Sequence, residues 1–288
     1  IKHIDKGLII EFEENIFSGY IPKLKILSGE GSVSYELYRK EKNLLSSKII
    51  NLKDIKTISL IYDSNPEIVF EKSIKTFHSK FDTLFYFKNY KIKIAQDSFY
   101  DDILLWIEEK VIEINDGELL KISNPISIHP LTIPFKKEIE IIYENINCNS
   151  CGFYKLDEIN NKWIYVKTNY KDNTLSTKIT NGGIFCLLSE KINPKIYNLS
   201  PSENSRYKQK DFQYISFNLE DQLSGIDEYS IEIYIDNKEI FYDYIPYRKY
   251  VHSKLIPQLS IGSHSLNILI NDNVNNITNI SREFIIIE

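Results

Sequence analysis

The 288-residue sequence contains no methionine, not even at position 1. A full reading frame begins with one, so the chain is expected to be processed, or cut from something longer. Alanine, the strongest helix former, is almost absent, which argues against long helices. There is no excess of positive charge. The net charge is −5 with acids and bases interspersed, so nothing supplies the clustered Lys and Arg that neutralise phosphates. Nucleic-acid binding is excluded on that ground. No apolar run approaches the ~18 residues of a membrane span, and the residues from Ile1 on do not read as a signal peptide. Ten glycines are scattered without forming a phosphate-binding loop.

Catalytic signatures are equally scarce. The five histidines, His3, His78, His129, His252 and His264, form no H-x-H, H-x-x-x-H or H-E-x-x-H pair. No G-x-S-x-G elbow exists. The paired acids Asp101-Asp102 and Glu108-Glu109 are adjacent, so on a strand they point to opposite faces and cannot flank one bond. Of three cysteines, Cys148 and Cys151 form a lone C-x-x-C. Zinc would need two further ligands at matching spacing, and none is visible. A redox pair would want a helix N-terminus, yet this one lies between strand-like runs. The pair, with Cys186, reads as structural or incidental thiols, or as a local disulfide in an exported protein.

What is present is sheet-forming. Tyr (20) and Phe (15) are abundant, as are Ile and Asn, and β-branched and aromatic residues fit a pleated, half-buried surface. Hydrophobic content of 42% with 26% charge marks a folded chain. Runs such as KLKIL (23–27) and YISFNLE (214–220) have strand length, and VSYELY (33–38) and EIEIIYE (138–144) alternate with period two. DILLWIEEKVIEI (102–114) is read as a strand, because β-branched residues end it and Asn115-Asp116-Gly117 signals a hairpin turn. The expected fold class is all-β, with tandem antiparallel β-sandwich domains, the last of them immunoglobulin-like. Boundaries are expected at 1–90, 91–192 and 193–288. The prolines and polar residues of SEKINPKIYNLSPSENS (189–205) read as the linker into the last domain.

Two places invite a functional reading. In LEDQLSGIDEYSIEIYID (219–236), Asp221 and Asp227 with Asp272 are calcium candidates, supported by Glu220 and Asn273, since calcium wants six to eight converging oxygens. The competing reading, preferred on the residues, is that the acids accept backbone N–H groups in turns while Gly225 supplies a special conformation. The second place is FYDYIPYRKYVH (241–252). Here Tyr244, Tyr247, Arg248 and Tyr250 are ligand-binding candidates, because Tyr rings stack on sugars while their hydroxyls hydrogen-bond. The competing and preferred reading is a hairpin covering the sandwich edge. Trp106 and Trp163 sit inside strand patterns and read as core.

Asp221/Ser224/Gly225/Ile226/Asp227, Asp236-Asn237-Lys238, Leu259/Gly262/His264/Leu266/Ile268/Asp272 and Phe284/Ile286 together resemble a bacterial extracellular immunoglobulin-like repeat, which implies a structural His264. SFYDDILLWI, ISIHPLTIPFKKEIEIIYE, GFYKLDEINNKWIYV and GGIFCLL are similar to a ZU5-like β-sandwich. Their order resembles the region after the catalytic domain in lysostaphin/LytM-type murein endopeptidases. The resemblance implies a non-catalytic C-terminal accessory or spacer region of an exported zinc cell-wall (peptidoglycan) endopeptidase, periplasmic or at the cell surface. The zinc domain would lie upstream, so no cofactor is expected in this chain. The alternative is an adhesion or glycan-binding module of a bacterial surface protein. Expected partners are a cell-wall glycan or another envelope protein.

Overall fold

The computed structural model describes residues 2–288 apart from 5–6, 14–18, 52–54, 63–64, 74, 78, 101–102, 115–116, 132–133 and 256–257. His78, the pair Asp101-Asp102 and the turn residues Asn115-Asp116 therefore lie outside the described residues. The fold is all-β and overwhelmingly antiparallel. Among the described residues the only helical elements are two 3-10 turns, Glu228–Ser230 and Pro246–Arg248.

The chain forms two compact units. The first comprises residues 1–110, 125–144 and 178–185. Its largest sheet has six antiparallel strands in the order Glu11–Glu13, Leu44–Ser47, Gly31–Glu41, Lys23–Ser28, Thr57–Tyr62, Asn65–Ser73. Lys23–Ser28 shows why. Leu24, Ile26 and Ser28 are buried, while Lys25 and Leu27 between them are exposed, as period two requires. Leu24 and Ile26 pack with Leu45, Ile50 and Ile58, and with Leu104 and Trp106 from the strand Ile103–Glu109. That strand ends at Glu109, so the expected extension through 110–114 is not strand. A hairpin, Thr83–Phe87 with Tyr90–Ile94, pairs onward to Pro134–Tyr143, bringing the fully buried Ile92 and Ile141 opposite each other. Gly182 is required by close approach. A Cβ there would fall 2.5 Å from the Ile128 carbonyl oxygen.

The second unit comprises 111–124, 145–177 and 186–288. Its first part contains the hairpin Cys151–Asp157 with Lys162–Val166 and the pairing of Leu119–Lys121 with the end of Gly183–Glu190. Leu119, Tyr154, Cys186 and Leu188 form its small core, with Trp163, Tyr165 and Leu223 packed against it.

The second part is a nine-stranded sandwich: β1 (Lys195–Ser200), β2 (Ser205–Lys208), β3 (Tyr214–Glu220), β4 (Glu232–Ile235), β5 (Lys238–Glu239), β6 (Asp243–Ile245), β7 (Tyr250–Lys254), β8 (Gly262–Asn271) and β9 (Ile277–Ile287). One sheet has the order β1-β3-β7-β6, the other β2-β9-β8-β4-β5. In immunoglobulin lettering these are A-B-E-D and G-F-C-C′, with a short extra strand beside G. The connectivity is therefore immunoglobulin-like. The β2–β9 pairing is parallel, whereas every other sandwich pairing is antiparallel.

The sandwich core is read directly from alternation. Ile215, Phe217 and Leu219 of β3 are 0% exposed, as is Val251 beside them on β7, and they pack with Ile233, Ile268, Ile270 and Phe284 of the other sheet. No cysteine bridges the sheets, so apolar burial carries the closure. The β4–β5 turn uses Asp236 and Asn237 at φ 49° and 62°, the left-handed pair that a tight type I′ hairpin demands.

Two expectations fail here. The segment 189–205 is not a linker: it contains β1, paired with β3. Ile196 packs on the core and Leu199 is buried within it. These two positions are three apart, and a register shift between Tyr197 and Ser200 restores the phase. A bulge of this kind hides the strand from a period-two reading. The strand expected at 229–236 begins only at Glu232, because Asp227 caps the 3-10 turn Glu228–Ser230.

Phe217 is fully buried between the sheets. Phe217→Ala is expected to destabilise the second unit by about 3–5 kcal/mol, read as a lower urea midpoint at unchanged slope.

Candidate functional site

The loops at one end of the sandwich are built on acids that serve the backbone. After β3 the chain turns sharply. Asp221 Oδ1 accepts the N–H groups of Leu223 (3.0 Å) and Gly225 (2.6 Å). Gly225 sits at φ +83°, a conformation that costs other residues energy. After β8, Asp272 Oδ1 accepts the N–H groups of Val274 (2.9 Å) and Asn276 (2.8 Å), and its Oδ2 accepts Asn276 Nδ2 (2.7 Å). Asn273 Nδ2 crosses between the loops and donates to the carbonyls of Ser224 (2.9 Å) and Gly225 (3.0 Å). Asp227 Oδ1 accepts Tyr229 N at 3.1 Å. The turn-capping reading of the three aspartates thus describes what they do.

It is not all that two of them do. Asp221, Asp272 and Glu190 each place a carboxylate oxygen within 4.8 Å of the other two. This is the only group of three or more His, Cys, Asp or Glu side chains so arranged among the described residues, and Asp227 is not in it. Glu190 ends the strand Gly183–Glu190 and is 2% exposed; Asp272 is 1% exposed. Tyr154 donates its hydroxyl to Glu190 Oε2 at 3.2 Å, while Glu190 Oε1 is buried without a hydrogen bond. Burial, then the neighbouring Asp221 charge, push the Glu190 carboxyl up to about 8. Burial likewise raises Asp272, against the pull of its Asn276 bonds. No Lys or Arg forms an ion pair with any of the three among the described residues. A small cleft lined by Glu118, Glu190, Lys195, Glu220 and Asp221 leads to the group.

Chemically, such a trio can hold a proton or a cation. It is poorly disposed to acid–base work on a substrate, because Glu190 and Asp272 are almost wholly enclosed. Glu190 is the member that the sequence reading missed. The signal for it is phase: Cys186, Leu188 and Glu190 share one face of their strand and are all buried, and a buried glutamate in line with core residues is unusual.

The aromatic hairpin divides. Tyr244 on β6 packs against the sandwich core. Tyr250 is half-buried and stacks on His252, centroids 5.6 Å apart. Tyr247 is 80% exposed, with the Arg248 guanidinium 5.4 Å from its ring centre. Phe241 and Tyr229 are 92% and 96% exposed. Of the four candidates, Tyr247 and Arg248 alone occupy the exposed 3-10 turn Pro246–Arg248. The hairpin's outer strand, β6, is a sheet edge.

The remaining side chains have structural partners. His264 Nδ1 meets Asp236 Oδ2 at 2.7 Å and its Nε2 meets the Ser260 carbonyl at 2.8 Å. Trp106 is buried and stacks on His129 at 4.4 Å. Cys148 and Cys151 are joined as a disulfide. Cys186 is fully buried, and burial raises its thiol to about 12, so it is no nucleophile.

Asp236 carries a pH dependence. Burial pushes its carboxyl up, but the Ser265 N–H and the His264 ring outweigh that, and the net pKa is lowered. A carboxylate depressed in the folded state stabilises fully above its unfolded pKa near 3.9, and loses that contribution as pH falls through the folded value. Asp236→Asn should therefore cost no more than about 1 kcal/mol at pH 7, since nearly half the side chain faces solvent. Thermal melts of the variant and wild type should converge as pH falls through the lowered folded value of Asp236.

No protein-family model matches the chain, and no curated protein matches it. Solved structures give weak likenesses. Dimeric latent PorU from Porphyromonas gingivalis is 12% identical with a TM-score of 0.26, over 94% of this chain and 20% of that one. An extracellular domain from B. thetaiotaomicron is 13% identical with a TM-score of 0.23, over 84% and 35%. The immunoglobulin domains 1–4 of Sidekick-1 are 10% identical with a TM-score of 0.23, over 98% and 72%. The chain spans about a fifth of the PorU chain and about a third of the B. thetaiotaomicron one. Scores this low carry no argument, and the immunoglobulin-like assignment stands on the strand order alone.

Proposed function

We propose that this chain is a non-catalytic, exported β-sandwich module that spaces or docks a partner domain at the cell envelope. The observation that carries the reading is where the ionisable chemistry lies. In the one concentrated group of ligating side chains among the described residues, Glu190 and Asp272 are buried and the two aspartates cap their own loops. The Cys148–Cys151 disulfide supports an oxidising compartment, hence export. The finer form of the proposal is the accessory region of a zinc cell-wall endopeptidase, and it rests on the motif resemblance alone. Incubating the purified chain with peptidoglycan should release no soluble muropeptides, and release would overturn the non-catalytic reading.

The adhesion or glycan-binding alternative is favoured by one observation, the exposed Phe241 and Tyr247 beside Arg248. Exposed rings with a polar handle suit sugar faces. On that reading, Tyr247→Ala should weaken retention on peptidoglycan or arrayed glycans by at least about tenfold, the loss of a hot-spot aromatic. Equal retention of wild type and variant would remove the hairpin as the site.

A further inference from the structure

We propose that Glu190, Asp221 and Asp272, with the Ser224 hydroxyl, form a calcium site where the strand ending at Glu190 meets the β3–β4 and β8–β9 loops. The site requires only the geometry of this unit and stands whether or not the accessory reading does.

Spacing is the first argument. Three oxygens no more than 4.8 Å apart share a point within about 2.8 Å of each (4.8 Å over √3). Calcium takes oxygens at roughly 2.3–2.6 Å, so a small inward shift completes the contact. Magnesium keeps its waters and demands a strict octahedron at about 2.0–2.1 Å, so a cage of protein oxygens suits it less. All the donors are oxygen, which suits a hard cation and not zinc.

Unmet polar groups are the second argument, independent of the charge count. Ser224 is 6% exposed and its Oγ has no hydrogen bond. The Ser224 hydroxyl lies beside the Glu190 carboxyl, close enough to favour its charged form, but outside bonding geometry. Glu190 Oε1 is likewise buried and unbonded. A buried polar atom without a partner costs about 1–3 kcal/mol, and more when charged. Two such atoms lie together, one on the trio itself and one on Ser224 beside it, and an oxygen-ligated cation would satisfy both. Asp221 Oδ2 completes the set, since the turn bonds engage only its Oδ1.

Placement is the third argument. An ion held by these three carboxylates would tie the end of one strand to both loops of the sandwich. The adjacent cleft, lined by Glu190 and Asp221, provides the path in and room for a water ligand.

The test uses the whole chain, stripped with a chelator and titrated with calcium chloride or with terbium alone. Tyr154 donates to Glu190, so terbium in the site should be sensitised by excitation of tyrosine. Wild type should bind one calcium with Kd on the order of 10⁻⁴ M and gain ~5 °C in Tm at saturation. Magnesium should bind at least about tenfold more weakly. Asp221→Asn keeps the Oδ1 acceptor and hence the turn, and should weaken calcium at least about tenfold and quench the sensitised emission. Glu190→Gln should do the same, whereas Asp227→Asn should leave both signals unchanged. The inference fails if stripped wild type shows neither a Tm shift nor emission up to about 10 mM ion. It fails equally if wild type and Asp221→Asn respond alike, because the ion would then be on scattered surface acids. Should Asp221→Asn not fold, the wild-type titration and Glu190→Gln decide.

Discussion

Apolar closure between facing sheets holds this protein together, and each unit repeats the device. In the sandwich, Ile215, Phe217 and Leu219 enter from one sheet and Ile233, Ile268, Ile270 and Phe284 from the other. In the first unit, Leu24, Ile26 and Ile58 do the same beneath Leu104 and Trp106. At ~25 cal/mol per Å² of apolar surface removed from water, such layers are the main term opposing chain entropy. The Cys148–Cys151 bridge closes only a three-residue separation, and a loop that short constrains little of the unfolded chain.

Because strands bury their backbone in ladders, unpaired N–H groups collect at the corners. This chain meets them with carboxylates: Asp221, Asp227 and Asp272 accept loop N–H groups and Asp236 accepts that of Ser265 on β8, while the Asn273 amide donates to loop carbonyls. The solution has an electrostatic consequence. Two corner acids from neighbouring loops end up beside a third, Glu190, that belongs to no corner. The site thus arises where two ordinary structural uses of acid converge on a residue placed by strand phase.

Strand character and the sandwich core were legible from alternation in stretches such as 23–27 and 214–220, because a half-buried strand imposes period two on its own residues. The immunoglobulin-like end of the chain was legible from turn residues, Gly225 and Asp236-Asn237 among them, whose backbone angles only a few residue types accept. β1 was not, since a bulge breaks its phase. The 3-10 turn at 228–230 was not, since three residues carry no period. Two of the three acids were visible as Asp221 and Asp272, but Glu190 lies 31 residues earlier than Asp221, and convergence over that distance belongs to tertiary packing. The split of the aromatic hairpin into core-packed Tyr244 and exposed Tyr247 also follows from which sheet edge it covers.

The parallel β2–β9 pairing has a mechanical meaning. β9 runs eleven residues, held along ten by antiparallel β8 and along four by β2. Tension drawing the sandwich's first strands and its last strand apart would act along these ladders. Their hydrogen bonds would then be sheared together instead of being peeled one at a time.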